Sequence, residues 1–496
     1  MSMQSINQNT RRSFLGSVLG IGGLALAPWS HVFGAESRVR DLIILLPGIT
    51  GSVLQKNKKD VWAVTAGSIG DALQTLGQNL QGLELKDDPQ DVEDLGDGVV
   101  ATGLVPDIHL IPGFWKIDGY SGVRAALSQR LKLDGAQNYI EFPYDWRRDN
   151  RVAARKLARL VPSWLAQWKK ISGNDDAKVV FIAHSMGGLV ARYYLECLEG
   201  WRHARKLITF GTPYRGSLNA LDFLSNGYVK KFAGFNVADL SALMRSFTSV
   251  YQLLPRYPCV DMGDGRLLRP GEARGLPNID SAKAAAALAF HKEIERALCT
   301  NAGSKEYKSY SVHAIVGTDQ PTKQSACVRE GRLVLANELS GQDESGDGTV
   351  PRPSAIPLGC TDDDDQAFGR ASLFVPGIHG SLQNLPQVIA QVSYVLSEPD
   401  FGRYRSSLAP EAVSLGVDDA YLAGEPVSIR CNAGTRALEA MLVVEEAATG
   451  RQVFTGKLVP QSNEPITVEN LPVGTYRAAL QTKERKLVSD VFLVSR

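Results

Sequence analysis

A serine with small neighbours occupies the junction between a predicted strand and a predicted helix. Residues 179–183 are rich in β-branched and aromatic side chains, which predicts a buried strand, and Gly187 begins a helical pattern. Ser185 therefore lies in a tight turn that presents its hydroxyl above the sheet edge, and such turns need small residues two positions before and after the serine. Ala183 and Gly187 fill those positions, with Ala183 replacing the usual glycine. We predict that Ser185 is a nucleophile; a junction that merely needs small residues is the alternative.

Two residues later in the chain could activate this serine. His379 follows an apolar strand and lies in a glycine-bracketed turn, where an imidazole could accept the serine proton. Asp347, in the turn-rich sequence Gly-Asp-Gly-Thr-Val-Pro, could orient that imidazole. In proteins whose nucleophilic serine lies on such a turn, the acid and then the histidine follow the serine along the chain, as they do here. The alternatives are a loop histidine, an ordinary Asp-Gly turn, and Asp343 or Glu344 as the acid.

Backbone amides near the serine could stabilise an oxyanion. An unbroken apolar strand at residues 42–46 leads into a turn that Gly48 and Gly51 bracket. We predict that the backbone N–H groups of Ile49 and Met186 form the oxyanion hole, an assignment that depends on position alone. A glycine pair without a catalytic role is the alternative.

The first 35 residues differ in character from the rest of the chain. Arg11 and Arg12 precede a modest apolar run at residues 15–28, which is too short and too rich in glycine for a membrane span of about 20 residues. Paired arginines before a weakly apolar stretch resemble a twin-arginine export signal of bacteria. We therefore expect a protein that is exported to the periplasm or secreted; a disordered basic tail is the alternative.

Charge and composition exclude several classes of function. Lysine and arginine total 54 against 53 aspartate and glutamate residues, so the chain lacks the basic field of a nucleic-acid-binding protein. There is no CxxC pair and no histidine-rich tract, and we predict neither a metal nor a cofactor. The acidic run at residues 362–365 lacks the spaced ligands of a calcium loop, and we predict that it is a solvated loop.

The six cysteines leave the disulfide pattern open. An exported protein could pair Cys259 with Cys299 or Cys327 with Cys360, among many connectivities that the sequence does not distinguish. Cys197 lies at helical spacing from two tyrosines, which predicts a buried and inert thiol.

Five short motifs connect these candidates to a known family. In chain order they are Leu46-Pro47-Gly48 with Gly51-Ser52, Ile111-Pro112-Gly113-Phe114, Pro143-Tyr144-Asp145-Trp146-Arg147, the turn at Ser185, and Leu253-Leu254-Pro255. In order and spacing they resemble the lecithin:cholesterol acyltransferases, a family of α/β-hydrolases, over about residues 41–396. The Tyr-Asp-Trp-Arg sequence is the most specific of them, whereas the serine motif alone is generic.

This resemblance implies a fold and a chemistry. The fold is that of an α/β-hydrolase, and the chemistry is a covalent acyl-serine formed from an ester lipid, followed by transfer to an alcohol or to water. It also implies that Asp347 and His379 complete the triad with Ser185. Residues 211–217 look more like those of bacterial lipases and esterases, so we expect hydrolysis first and transfer to lipid or sterol alcohols as a side activity.

Two further segments contribute to the expected site. Residues 221–257 carry scattered apolar side chains without one clean stripe, which predicts a helical cap over an acyl pocket; a simple pair of core helices is the alternative. Asp145 with Arg147 or Arg148 predicts a buried or half-buried ion pair that braces a loop near the site, with lipid headgroup binding as the alternative.

The length predicts more than one domain. We assign residues 36–402 to the α/β-hydrolase domain and residues 408–496 to an accessory domain. The second range has short, regularly spaced strand candidates separated by turns, which predicts a small β-sandwich. This domain either binds a surface or partner or simply packs against the hydrolase.

Two classes of function remain open from the sequence. The first is a serine esterase, lipase, phospholipase or O-acyltransferase that acts on an ester lipid, in which case association with a membrane surface is a further expectation. The second is a catalytically silent hydrolase fold that serves in lipid or surface binding. The sequence identifies neither the acyl donor nor the oligomeric state.

Overall fold

A computed structural model describes residues 39–62, 82–106, 109–111, 115–131, 133, 137–227, 229–232, 235–307, 310–397, 413–432, 440–458, 464–482 and 486–495. The predicted export signal at residues 1–35 lies outside this part of the chain, as do residues 112–114 of one family motif. Residues 38–496 form one compact unit. None of the helices in the described part of the chain combines the length and apolar character that a bilayer span requires.

The strands before residue 397 are β1 (Leu42–Leu46), β2 (Ser52–Lys56), β3 (Lys59–Trp62), β4 (Val99–Leu104), β5 (His109–Ile111), β6 (Trp115–Ile117), β7 (Tyr139–Glu141), β8 (Val179–His184), β9 (Ala204–Phe210), β10 (Val229–Phe232), β11 (Phe235–Asp239), β12 (Val260–Asp261), β13 (Leu267–Leu268), β14 (Ser311–Thr318), β15 (Ser325–Arg329), β16 (Arg332–Ala336) and β17 (Leu373–Pro376). The later strands are β18 (Ser414–Val417), β19 (Ala420–Leu422), β20 (Val427–Asn432), β21 (Met441–Glu446), β22 (Gln452–Lys457), β23 (Ile466–Val468), β24 (Gly474–Gln481) and β25 (Lys486–Ser495).

The helices are α1 (Ser121–Leu131), α2 (Asn150–Ser172), α3 (Gly187–Cys197), α4 (Leu218–Ser225), α5 (Ser241–Ser246), α6 (Thr248–Tyr251), α7 (Ser281–Ala302), α8 (Asp362–Ala371) and α9 (Pro386–Ser397). Short 3-10 helices cover Gly200–Arg202, Arg352–Ala355 and His379–Asn384. Helix α2 continues through Pro162.

A parallel sheet organises the first part of the chain. Within the described residues its order is β17-β14-β9-β8-β1-β7, and every neighbouring pair is parallel. Alternate residues of β1 belong to two different cores, Leu42 and Ile44 to one and Ile43 and Leu45 to the other, because successive side chains of a strand point to opposite faces. A sheet buried on both faces explains why β1 reads as an unbroken apolar run.

Helices cover both faces of this sheet. Helices α2 and α3 contribute buried residues to the core that contains Leu42, and α1 and α9 contribute to the core that contains Ile43. This layered arrangement is that of an α/β-hydrolase and confirms the predicted fold class. Loops that follow the strands meet at the carboxyl edge of the sheet, where ligands of open α/β sheets bind.

The described C-terminal residues form two β-sheets. The sheet order is β18-β20-β23 in one sheet and β19-β25-β24-β21-β22 in the other, and a buried core that includes Leu442, Ala478 and Phe492 lies within this region. These sheets agree with the predicted β domain. The residue boundaries that we assigned to the domains remain predictions. Strands β18, β19, β23 and β25 were not identified from the sequence.

The predicted ion pair within the Tyr144–Arg147 motif is present. Arg147 is fully buried and donates to Asp145 at 2.6 Å and to Asp97 at 3.0 Å, while Arg148 donates to Asp88 at 2.8 Å. Arg147 also donates to the backbone carbonyl of Leu83 at 3.0 Å. Because the contacts with Asp97, Asp88 and Leu83 join the loop before α2 to residues 82–97, these arginines brace residues 82–97 against the core.

The disulfide is not one of the pairings that the sequence suggested, and the predictions of an acidic loop and of a buried Cys197 were wrong. The disulfide joins Cys299 to Cys360, whereas Cys259 and Cys327 are free thiols, so neither pairing that we considered occurs. The acidic run at residues 362–365 is the first turn of α8 rather than a loop, because Thr361 and Asp364 form a capping box and carboxylates favour the positive end of the helix dipole. Cys197 is partly exposed, and burial raises the pKa of its thiol to about 12, which makes it inert.

Candidate active site

Ser185 lies in the short turn between β8 and α3. Its φ of 51° is in the left-handed region, a strained conformation for a residue with a side chain, and costs on the order of 1–3 kcal/mol. The backbone N–H of Ser185 donates to the carbonyl of Phe210 at 2.9 Å, which holds the turn against β9. Gly187 is required because a Cβ there would lie 2.4 Å from the carbonyl oxygen of Pro47. The close approach of α3 to the end of β1 therefore explains this glycine.

The structure brings Ser185, His379 and Asp347 together. The Ser185 hydroxyl lies 2.9 Å from Nε2 of His379, and Nδ1 of the same imidazole lies 2.7 Å from Oδ2 of Asp347. All three residues are buried, with Ser185 2% and His379 3% exposed. In this geometry Nδ1–H donates to the carboxylate, so Nε2 is free to accept the serine proton.

Asp347 is held in place through its other atoms. Its Oδ1 accepts hydrogen bonds from the backbone amides of Thr349 at 3.0 Å and Val350 at 2.7 Å, and its carbonyl accepts from the His379 amide at 2.9 Å. Asp343, one of the alternatives for the acid, accepts instead from Gln324 and Ser345. Glu344, the other alternative, pairs with Arg352. Neither alternative therefore occupies the position beside His379.

The predicted oxyanion residues lie next to the serine. Met186 is fully buried and is the N-cap residue of α3, and Ile49 is 2% exposed and lines the same cleft as Ser185. Within the described residues, neither the Ile49 nor the Met186 backbone N–H donates to a protein acceptor. Their role as oxyanion donors remains a prediction.

An apolar cleft opens beside Ser185. Its lining includes Phe223, Met244, Val250 and Leu253, all from the segment that we predicted as a cap. Met244, Val250 and Leu253 also belong to the main core, so this segment both walls the cleft and packs against the fold. In the structure the segment contains helices α4, α5 and α6 and also the strand pair β10 and β11, so it is not purely helical.

A hydrogen-bonded chain behind the triad was not predicted from the sequence. The Gly48 amide donates to the Tyr120 hydroxyl at 2.9 Å, and that hydroxyl lies 2.8 Å from Nδ1 of His184. Nε2 of His184 lies 3.1 Å from the carbonyl oxygen of His379. Since burial raises the pKa of Tyr120, its hydroxyl stays protonated and donates to Nδ1, which leaves Nε2–H of His184 to donate to His379.

This chain ties the turn after β1 to the loop that carries the histidine. His184 directly precedes Ser185, and no role was predicted for it from the sequence. Tyr120 lies 64 residues earlier, and no local pattern links the two. A polar side chain at the end of an otherwise apolar strand was the only available signal, because a fully buried imidazole requires partners for its ring nitrogens.

His184 should remain neutral at all pH values at which the protein is folded. Burial, and secondarily the neighbouring His379, lowers the pKa of His184 to about 3 from 6.5. Between those values the unfolded chain binds a proton that the native protein does not, so the stability is complete above pH 6.5 and falls as the pH decreases. We expect His184 to make the free energy of unfolding fall by about 1 kcal/mol between pH 6 and pH 5, and His184→Asn to lack that contribution. Denaturant melts at the two pH values measure it.

The same conclusion can be checked without a variant. In NMR spectra of the native protein, the His184 imidazole should show no titration between pH 5 and pH 8. A midpoint near 6.5 for this ring would contradict the assignment of a buried, neutral imidazole.

One family model matches part of this chain. Residues 129–273 match the family model described as lecithin:cholesterol acyltransferase. No curated protein sequence is significantly similar to this chain.

Three solved structures illustrate the structural similarities. The lipase BlEst2 from Bacillus licheniformis in its mature form is 13% identical, with 72% of this chain and 92% of that chain covered, at a TM-score of 0.30. The phospholipase PlaB from Legionella pneumophila is 10% identical, with 91% and 89% covered, at 0.23. A superoxide reductase (neelaredoxin) from Ignicoccus hospitalis is 14% identical, with 17% and 80% covered, at 0.14. All three TM-scores are low.

The family match spans the segment that contains three of the five family motifs recognised in the sequence, namely those at Tyr144–Arg147, at Ser185 and at Leu253–Pro255. The match supports lipase-type acyl ester chemistry at this edge of the sheet. The matched segment and the layered parallel sheet together identify the chain as an α/β-hydrolase similar to the lecithin:cholesterol acyltransferases.

Proposed function

We propose that this protein is an exported serine acyl hydrolase that cleaves carboxylic ester lipids through an acyl-enzyme intermediate on Ser185. The observation that carries the proposal is the continuous chain of hydrogen bonds from Ser185 through His379 to Asp347, beside an apolar cleft. Acyl transfer to a serine requires a nucleophile within hydrogen-bond distance of a base, and an acid within hydrogen-bond distance of that base.

Each step of acylation can be assigned to a residue of the proposed site. His379 Nε2 accepts the serine proton as Oγ attacks the ester carbonyl, and the Asp347 carboxylate stabilises the imidazolium that forms. The Ile49 and Met186 amides are the proposed donors to the oxyanion. Nε2–H then protonates the leaving alcohol, and the acyl group remains on Ser185. Water activated by the same nitrogen releases the acid in the second half of the cycle.

The cleft favours a substrate with an apolar acyl chain. Phe223, Met244, Val250 and Leu253 present hydrocarbon and aromatic surface next to the nucleophile, and burial of a methylene group against such surface is worth about 0.8 kcal/mol. We propose that the acyl chain of the ester lipid occupies this cleft, and that the protein meets its lipid at a membrane surface. Transfer of the acyl group to a lipid or sterol alcohol is proposed as a side activity.

The competing function is a catalytically silent hydrolase fold that binds lipid. The apolar cleft suits either function. The strained φ of Ser185 favours catalysis, because such strain persists where a function depends on the conformation and a binding site for an acyl chain does not need it.

The proposed nucleophile can be tested directly. We expect native protein to react with a fluorophosphonate on Ser185, and Ser185→Ala to lose both the adduct and ester cleavage, by up to about 10⁶ in turnover. Thermal melts of the variant should match those of the wild type, because the serine hydroxyl contributes little to packing. Absence of an adduct on folded wild-type protein would favour the silent fold, and activity above about a hundredth of wild type in Ser185→Ala would exclude this serine.

Amide variants of the two neighbouring acids provide a matched control for the triad. Asp347→Asn should reduce the rate on the order of 10⁴-fold, because it removes the charge that stabilises the imidazolium. Asp343→Asn changes an acid of the same loop whose carboxylate contacts Gln324, and should retain activity. Loss of activity in Asp343→Asn alone would overturn the assignment of the acid.

The fate of the acyl group is a separate prediction. Water at its bulk concentration resolves the acyl-serine unless the site holds an alcohol in place, so we expect free fatty acid to be the main product. The measurement uses a fluorescent phospholipid with and without added long-chain alcohol or sterol, with Ser185→Ala as the blank. Faster formation of alkyl or steryl ester than of fatty acid at low alcohol would make acyl transfer the main reaction.

Export follows from a different part of the chain. The paired Arg11 and Arg12 motivate it, and the Cys299–Cys360 disulfide supports it, because structural disulfides persist in oxidising compartments such as the bacterial periplasm. We propose that the protein is periplasmic or secreted.

The export signal can be tested in isolation. Residues 1–37 fused to a reporter that folds in the cytoplasm should deliver the reporter across the inner membrane, and replacing Arg11-Arg12 with Lys-Lys should block delivery, because the pair is read as an address. Undiminished export of the double-lysine variant would indicate the general secretory route instead.

A further inference from the structure

The loop that carries the acid is bonded to the C-terminal β region. Gln320 pairs with Asp347 in an isolated bridge, and its amide donates to the carbonyl of Gly346 at 3.0 Å. The side chain of the same glutamine donates to the carbonyl of Val413 at 3.2 Å and accepts from the amide of Leu415 at 3.4 Å. Gln320 is 3% exposed, so these bonds are made away from water. Through its backbone and its side chain, Gln320 therefore connects the loop that carries Asp347 to the start of β18.

The loop that carries the base contacts the same region. Ile378, directly before His379, packs against the hydrophobic core of the C-terminal sheets. The carbonyl of Gly380, directly after it, accepts from the amide of Asp118 at 2.9 Å. Gly380 also packs so closely on this segment that a Cβ there would lie 1.9 Å from the carbonyl oxygen of Lys116. The position of His379 is thus set on one side by the C-terminal core and on the other by residues 116–118.

Residues 116–118 are in turn fixed by charges of the C-terminal region. Lys116 donates to Asp490 at 2.8 Å and pairs with Asp419 at 2.9 Å, and it donates to the carbonyl of Val417 at 3.1 Å. Asp118 forms an ion pair with Arg477. Asp490 and Asp118 are 4% and 6% exposed, so each pair is shielded from water and removing one partner leaves a charge in a poorly solvated position.

We propose that the C-terminal β domain is a positioning element of the catalytic site, which holds the Asp347 loop through Gln320 and the His379 loop through Ile378, Lys116 and Asp118. This inference rests on the proposed function, since it assigns the domain to the same triad. It gives the β domain a role beyond packing or surface binding. Gln320, Lys116, Asp118 and Arg477 are positioning residues that touch neither the serine nor the cleft.

The physical reason is the small tolerance of a triad. A displacement of about 1 Å in a reacting group can cost about 10²-fold in rate. The acid and the base lie on two loops separated by 32 residues, and each loop contacts the same second domain. A shared support fixes the distance between the two loops better than independent loop conformations do.

Two variants on different contacts test the proposal. Gln320→Met keeps the apolar part of the side chain and removes its hydrogen bonds to Val413 and Leu415. Arg477→Met removes the cation that pairs with Asp118. We expect both folded variants to react with fluorophosphonate on Ser185 about 10- to 100-fold more slowly than wild type and to lose kcat at similar KM.

Matched controls separate positioning from general destabilisation. Arg451→Met removes an exposed arginine that pairs with Glu446 inside the β domain, and should label at the wild-type rate. Arg477→Lys keeps a cation beside Asp118 and should recover part of the labelling rate. Labelling is measured well below the melting temperature of each variant, and Arg477→Lys provides the measurement if Arg477→Met does not fold.

The outcomes are distinct from those that test the proposed function. If folded Gln320→Met and Arg477→Met label at the wild-type rate, the β domain does not position the triad. If wild-type protein itself forms no adduct on Ser185, the proposed function fails, and with it the premise of the inference.

Discussion

The contact between the end of β1 and the start of α3 is the constraint on which the site depends. Because Gly187 has no Cβ, the start of α3 packs directly against the carbonyl of Pro47. The turn after β1 and the turn that carries Ser185 therefore lie close together. A Cβ at Gly48 would likewise lie 2.9 Å from Cβ of Ser185. The proposed oxyanion amides and the proposed nucleophile thus share one rigid corner. The fold tolerates the left-handed φ of Ser185 because the surrounding strands and helices determine it from several sides.

Much of this corner could be predicted because its signals are local. The apolar strand, the small residues on either side of Ser185 and the glycine-bracketed turns are all short patterns whose physical causes act over a few residues. Asp347 and His379 were selected by turn context and chain order, and the structure places both beside Ser185. The α/β-hydrolase class was implied by the resemblance of five short motifs to the lecithin:cholesterol acyltransferases.

The remainder required contacts between residues distant in sequence. Tyr120 and His184 meet across 64 positions, and Cys299 and Cys360 across 61, so neither pairing has a local signal. The acidic run at residues 362–365 was taken for a loop because its charge was weighed without the capping box that starts α8. The β domain was recognisable from its turns, but its contacts with the acid and base loops depend on how two layers of the chain pack.

The disulfide has a consequence for how the chain responds to cleavage. It joins the end of α7 to the residue before the α8 cap, and the enclosed stretch of the chain contains Asp347. Ser185 precedes this covalent loop and His379 follows it. A single cut by a protease anywhere between Cys299 and Cys360 would therefore leave the fragment that carries the serine covalently attached to the fragment that carries the histidine. In an oxidising compartment, nicking within this stretch alone would not allow the two fragments to diffuse apart.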